Sequence, residues 1–383
     1  VSPALLLALL LLPAAANAAE FSASGQFKNL YETGRSSLNR KPYRKNTTRA
    51  RVELEASQGP VRARVDYDHE LFTGSYLRSL EYRKFGLAEP PGHFDLEQNI
   101  SSGTDGLYRH RLYRGWIEAR GAGMRLRFGR QRIAWGTGKL WNPVDVLNPY
   151  QPTSLEREER RGVDSLHASR ALGALGQIEA AYTLADRWKE SDFLARVRGN
   201  FDKTDLSLIG GHVAASTGSW MAGGAWSSDL EGGNFHGEWS IVDLKIADMF
   251  FRGMAGYEYT FSADPFWAPL KDVWVVAEYL YNGKGRGDFS RYDFAQLATG
   301  REVSVARHYL GTGITKEFHP LVKGELYALF NADDGSQFFA PSVSYNPVGE
   351  LHLSAGWQRF GGGRNSEFGR RGNIGFVQGQ WFW

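Results

Sequence analysis

The sequence predicts an all-β fold: a single transmembrane antiparallel β-barrel of about 18 strands. Three observations carry this. Charge-dense alternation of period two recurs along the chain, an uncharged apolar leader precedes it, and a strand-like terminus ends on tryptophan.

Residues 1–18, VSPALLLALLLLPAAANA, carry no charge, and Ala16-Asn17-Ala18 supplies the small residues of a signal-peptide cleavage site. The apolar run breaks at Pro13, short of the roughly 20 residues that a spanning helix needs. We therefore expect export through the periplasm, with 1–18 removed and 19–383 forming one barrel in the cell outer membrane. The 383 residues contain no cysteine, which excludes disulfides, thiolate metal sites and cysteine nucleophiles. With 45 Lys+Arg against 42 Asp+Glu, the formal charge of +3 gives no argument for a nucleic-acid partner.

The alternation is densest near the start. Arg49, Arg51, Glu53 and Glu55 share one parity, and Ala50, Val52, Leu54 and Ala56 share the other. Gln58-Gly59-Pro60 reads as a tight turn. Beyond it, Arg62, Arg64, Asp66, Asp68 and Glu70 oppose Val61, Ala63, Val65 and Tyr67. A charge facing hydrocarbon costs roughly 2–4 kcal/mol near the bilayer midplane. The apolar parity is therefore assigned to lipid and the charged parity to a watery interior. Arg49, Arg51, Arg62, Arg64, Asp66 and Asp68 become candidate pore-lining residues.

Further on, Gly121-Ala122-Gly123 joins two more alternating stretches, in the second of which Arg125 and Arg127 oppose Met124, Leu126 and Phe128. Comparable stretches follow, the last of them centred near residues 307, 326, 342, 355 and 377. Residues 188–235 are Gly-rich, and merging their short pieces would reduce the count to about 16. Brief turns, such as those read at His319-Pro320 and Asn346-Pro347, alternate with longer polar loops. That is the asymmetry of short periplasmic turns and long outer loops. The final RGNIGFVQGQWFW puts Val377, Trp381 and Trp383 on one parity. It resembles the terminal strand by which outer-membrane proteins are recognised, which implies barrel-assembly machinery and outer-membrane lipids as partners.

The least regular stretch is 128–164. Arg125 and Arg127 differ in parity from Arg130 and Arg132, and a bulge near Gly129 would return all four to the interior. Gly136, Gly138, Pro143, Pro149 and Pro152 disfavour a long strand. We expect 133–163 to fold inward, bringing Lys139 and the charged run 156–161 to a constriction; the alternative is an ordinary outer loop.

GRQRIAWGTGKLWNPVDVLNP and VVAEYLYNG resemble segments of bacterial outer-membrane barrels of the alginate-export and porin-like families. The resemblance implies an 18-stranded barrel with an arginine- and lysine-rich passage. By position, Arg125, Arg127, Arg130, Arg132 and Lys139 would line it. Mixed with the carboxylates at 53, 55, 66 and 68, such a lining gives modest anion preference. The expected function is passive passage of small or polymeric hydrophilic solutes, without enzymatic activity, cofactor or metal. Two alternatives are a structural sleeve around a plug, periplasmic or electron-transfer protein, and an outer-membrane hydrolase. For the latter, Asp164, Ser165 and His167, or Glu302, Ser304 and His308, supply triad residue types but no GxSxG elbow. Asp288 with Asp293, and Asp333 with Asp334, lack the spacing of a calcium-binding EF-hand loop.

Overall fold

The computed structural model describes residues 19–87, 93–149, 151–157, 159–160, 162–214, 219–243, 249–261, 267–298 and 302–383. The leader, Glu158 and Arg161 lie outside the described residues. The first strands are β1 (Glu20–Arg35), β2 (Pro42–Gln58), β3 (Val61–Thr73), β4 (Glu97–Ser102), β5 (Gly106–Gly121) and β6 (Met124–Gln131). Next come β7 (Val163–Leu172), β8 (Gly176–Thr183), β9 (Phe193–Phe201), β10 (Thr204–Val213), β11 (Ser219–Leu230) and β12 (Gly233–Asp243). The last are β13 (Phe250–Thr260), β14 (Val273–Asn282), β15 (His308–His319), β16 (Val322–Asn331), β17 (Gln337–Val348), β18 (Leu351–Gly361) and β19 (Ile374–Phe382).

Neighbouring strands pair antiparallel, and β1 meets β19 from Gln26↔Phe382 to Gly34↔Ile374, which closes the ring. Among the described residues, closure leaves the ring strands without a free edge, the arrangement a hydrocarbon surrounding demands. Eighteen strands form the ring, because β3 pairs directly with β5 from Val61↔Ala119 to Thr73↔Gly106. The unforeseen β4 is an insert. It covers the edge of β5 at 107–111, beyond the stretch 115–121 that β6 covers.

Connections of two or three residues join β2 to β3, β5 to β6, β7 to β8, β9 to β10, β11 to β12, β15 to β16 and β17 to β18. All lie at the end of the ring that holds Glu20 and Trp383. Ala122-Gly123 and Glu231-Gly232 reach their tight turns through positive φ at both residues. Asn346-Pro347 is not the turn the sequence suggests; it lies inside β17, where the pairing with β18 slips between Tyr345 and Val348. A proline without an N–H is tolerated at such a slip. The Gly-rich stretch 188–235 resolves into β9, β10 and β11 before β12 begins, which gives 18 ring strands in place of 16. The centre placed at 307 falls one residue before β15.

The two parities separate as their chemistry demands. Val52, Leu54, Leu126, Phe128, Val377 and Trp381 are exposed on the outer face, whereas Arg49, Arg51, Asp68 and Glu70 are buried on the inner one. At the seam, Trp383 donates its N–H to the Gly25 carbonyl and accepts from the Gly25 N–H. A Cβ on Gly25 would sit 2.3 Å from the Trp383 ring and 2.5 Å from the Arg51 carbonyl, so the seam needs glycine there.

The apolar core lies inside the ring. Ile133, Trp135, Val144 and Leu147, from the chain between β6 and β7, pack on Ala181, Leu194, Ile209, Met221 and Val242. Leu140 and Trp141 of the same segment join Met254, Leu280, Tyr309, Leu329 and Phe338 in a second cluster.

Candidate functional site

The inner face of β2, β3 and β5 is a lattice of opposite charges. Register places Arg49 across from Glu70 and Arg51 across from Asp68, then Asp68 across from Arg111 and Glu70 across from Arg109. Arg51 holds Asp68 with two bonds, at 2.6 and 2.9 Å, and Arg49 reaches Glu70 at 2.8 Å. From the other side, Arg109 approaches Glu70 at 2.6 Å and Arg111 at 3.1 Å. Such cross-strand pairs stabilise a sheet, and each carboxylate here is shared by several guanidinium groups. A pairing slip between Asp66↔Arg114 and Tyr67↔Leu112 leaves Tyr113 as the extra residue. It lets both Arg111 and Arg114 join the inner face. Toward the short-turn end the pairs are more open: Arg62 with Glu55 at 2.7 Å, and Arg64 with Glu53 and Asp66, each at 2.7 Å.

Residues 132–162 contact strands on widely separated sides of the ring. On one side, Glu238 of β12 accepts hydrogen bonds from the amides of Thr137, Gly138 and Val144. Glu278 of β14 accepts from those of Lys139, Leu140 and Trp141, and lies 2.9 Å from His236 Nε2. On the other side, Glu156 meets Lys28 of β1 at 2.8 Å and Arg49 at 3.0 Å, while Glu159 meets Arg51 at 3.0 Å. Gln358 of β18 donates to the Thr153 carbonyl at 3.0 Å, and the Arg157 guanidinium stacks 3.5 Å from the Tyr327 ring centroid. A chain touching β1, β2, β12, β14 and β18 together crosses the interior. Burial opposes ionisation of Glu156, but Arg49 and Lys28 outweigh it and hold the carboxyl well below the usual range.

The five basic residues at 125–139 do not form one cluster. Arg127 pairs with Glu118 at 2.8 Å and stacks 4.0 Å from the Trp116 ring centroid. Arg125 bonds Ser169 at 3.0 Å. Lys139 lies against Glu258 of β13 at 3.2 Å, and Arg132 stands exposed on the segment. Arg130 is sealed where β6 leaves the wall. It bonds Asp164 at 2.8 Å through both Nε and Nη2, as well as the Leu112 and Phe94 carbonyls, with only 1 % of either charged side chain accessible. The bulge expected near Gly129 is absent from the ladder, since pairing runs without a slip from Met124 to Arg130 on one side and to Gln131 on the other. Gly129 instead takes φ +124° within that register. Removing one partner of so buried a pair leaves an uncompensated charge, a loss of about 3–5 kcal/mol. Arg130→Gln is therefore expected to lower refolding yield and unfolding temperature in detergent while leaving the reversal potential of correctly folded protein unchanged. A shifted reversal potential at normal stability would place Arg130 in the open passage after all.

Neither triad-like set converges. Asp164 is engaged by Arg130, Ser165 donates to the Val163 carbonyl at 3.4 Å, and His167 faces Glu179 at 3.4 Å. Glu302 binds Arg252 and Lys284, Ser304 accepts from Asn282, and His308 pairs with the Tyr279 hydroxyl. In the outer loops, Asp288 accepts from the Ser290 amide, Asp333 from those of Arg307 and His308, and Asp334 from those of Ser336 and Glu367. Among the described residues no group of three or more ligating side chains is placed to hold a metal ion.

A closed antiparallel ring of 18 strands, crossed by an inward segment, has the porin-like barrel architecture. No protein-family model matches the sequence, and no curated protein matches it. Among solved structures, OccAB1 of Acinetobacter baumannii superposes with a TM-score of 0.59 at 14% identity, covering 95% of this chain and 96% of that one. Pseudomonas aeruginosa OccK5 (OpdH) gives 0.59 at 9% identity, covering 95% and 98%. OccK8 (OprE) of the same organism gives 0.56 at 10%, again covering 95% and 98%. At these identities the likeness shows the fold.

Proposed function

We propose that the chain is a passive outer-membrane channel for hydrophilic solutes, with modest anion preference, and that 132–162 forms its constriction. The carrying observation is the charge-lined inner wall with solvent-reachable arginines, inside a ring whose outer face is apolar. Arg62, Arg64, Arg120, Arg125 and Arg127 remain partly or fully exposed beside Glu53, Glu55 and Glu118. A small excess of fixed positive charge in a confined passage raises the local anion concentration without excluding cations. The apolar outer face and the aromatic final strand support outer-membrane residence, as does the likeness to the Occ structures. Export of a polyanion such as alginate is less well supported, because the most buried cations are already matched by carboxylates.

The constriction reading has a pH signature. Burial pushes the Asp145 carboxyl up to about 7; Arg160, 3.1 Å away, opposes the shift and Glu238 adds to it. Below that pH Asp145 is neutral, and above it a negative charge appears on the segment. The anion/cation permeability ratio should therefore fall as pH rises from about 6 to about 8, and Asp145→Asn should flatten that fall. Reversal potentials in asymmetric salt measure both. An equal fall in the variant would remove Asp145 from the passage, and a parent with no conductance at all would favour the plugged sleeve.

A further inference from the structure

We propose that the inner wall beside the inward segment carries a subsite for a neutral ring sugar, with Trp274 as its platform. Asp229, Asn234, Glu258 and Thr260 supply the polar contacts around it. The subsite lies across the ring from the charged lattice of β2, β3 and β5. The proposal rests on reading the barrel as a channel for hydrophilic solutes, and names one class of solute.

Register puts these residues side by side toward the short-turn end. Asp229 of β11 stands across from Asn234 of β12, and Asn234 across from Glu258 of β13. Thr260 of β13 stands across from Trp274 of β14. Their parity is that of Met221, His236, Met254 and Val276, all buried inside the ring, so the row faces inward. With Gly232 and Gly233, which bring no side chains, they border a cavity of about 460 Å³. That is the size of a small-molecule site. The inward segment reaches it through Lys139, 3.2 Å from Glu258.

The Trp274 ring is fixed in place. Its Nε1 donates to one oxygen of Glu258 at 3.0 Å, while Lys139 takes the other. A Cβ on Gly313 would come 3.3 Å from the ring, so the glycine gives it room against the wall. Tyr327, farther round the wall, has its face covered by Arg157 at 3.5 Å; among the described residues nothing comparable stacks on Trp274. An uncovered aromatic face carries negative charge density. The C–H face of a pyranose is apolar, with weakly positive hydrogens, and lies flat on such a ring while its hydroxyls spread around the rim. Those hydroxyls need both donors and acceptors. Asp229 accepts, Thr260 does both, and the Asn234 amide, which gives one N–H to Ser227 at 2.9 Å, keeps a second to donate. An acyclic polyol has the hydroxyls without the flat C–H face. An anion would meet two carboxylates beside the platform and be repelled.

Saturation-transfer NMR on the full chain tests this, in a detergent without a sugar head group, with glucose, sorbitol and choline as separate probes. Glucose should receive saturation on its ring C–H protons, and sorbitol, matched in size, should receive little. Trp274→Leu should raise the half-saturating glucose concentration about tenfold. Asp229→Ala, a change at the exposed rim, should raise it about fivefold. Heat-modifiable mobility identifies the folded variants. Equal signals from glucose and sorbitol, or a folded variant that binds glucose like the parent, overturn the subsite. A stronger response to choline makes the cavity a cation site and overturns the sugar assignment as well. Bilayer recordings separate the two readings. Sugar binding by a protein that conducts no ions removes the channel and leaves the subsite, whereas conductance without sugar binding removes the subsite alone.

Discussion

Glu278→Ala is expected to release residues 139–141 from the wall, while Glu238 still holds Thr137, Gly138 and Val144, and to raise single-channel conductance while the barrel stays intact. The substitution removes the acceptor of three amide N–H groups, on Lys139, Leu140 and Trp141, together with the partner of His236. If the segment stayed in place, each orphaned buried donor would cost about 1–3 kcal/mol. If it left, the amides would be hydrated, but Leu140 and Trp141, each 1 % exposed, would lose their packing, at roughly 1.5–3 kcal/mol per side chain. The two penalties are comparable, so the variant should sample both states and conduct with larger, noisier currents. Glu278→Gln keeps one carbonyl acceptor and should fall between parent and Ala. The ring ladder does not depend on this carboxylate, so heat-modifiable mobility should persist. Limited proteolysis reads the same event independently: cleavage within 133–163 should appear in the Ala variant first. Parent-like conductance together with parent-like protection would show that the clamp does not hold the segment.

The architecture was legible because lipid imposes a rule on alternate residues. Val52 and Leu54 against Arg51 and Glu53 can be assigned without knowing any partner, since only one parity tolerates hydrocarbon. That argument holds wherever a strand is long and its polar face charged. It weakens where inner residues are small, as at Gly223 and Ala225 of β11, and there the count wavered between 16 and 18. It gave no sign of β4, whose EQNISS carries one charge and one apolar side chain.

The site was legible only where parity survives. Parity puts Arg49 and Arg51 on the inner face, where they stand, but it does not put Arg109, Arg111 and Arg114 there, although they share the same wall. The extra residue at Tyr113 puts odd and even positions of β5 on one face, so no single parity contains them. Arg130 meets the opposite difficulty: it stands among basic residues in the sequence, and its partner Asp164 lies 34 positions away. Glu238 and Glu278 are harder still. Glu278 is the one acidic residue of the mostly apolar β14 and Glu238 lies in a mixed β12, and the role of each depends on amides 94 to 139 positions distant. A single inward carboxylate set between Gly237 and Trp239, or between Ala277 and Tyr279, is the signal the sequence offers for such a clamp.

Val65→Arg should impair assembly far more than Arg64→Gln, although the two residues are adjacent. Val65 pairs with Leu54 and Gly115 on the outer parity. It lies four residues past the start of β3 at Val61, the short-turn end. At about 3.3 Å per residue and a tilt near 40°, that places it about 10 Å above the turns, well inside an apolar band about 25 Å tall. An arginine there costs roughly 2–4 kcal/mol, and a side chain rooted so far from either interface relieves little of it by snorkelling. Arg64 points the other way, with 33% of its side chain accessible and two carboxylates, Glu53 and Asp66, beside it. A solvent-reachable pair contributes about 0–1 kcal/mol, and its loss is cushioned by Arg51 and Arg62 nearby. Folding into liposomes, followed by urea titration, should separate the variants by about 2–3 kcal/mol. Equal stabilities would mean that β3 does not cross the membrane with this face outward, and the orientation of its paired neighbours would fall with it.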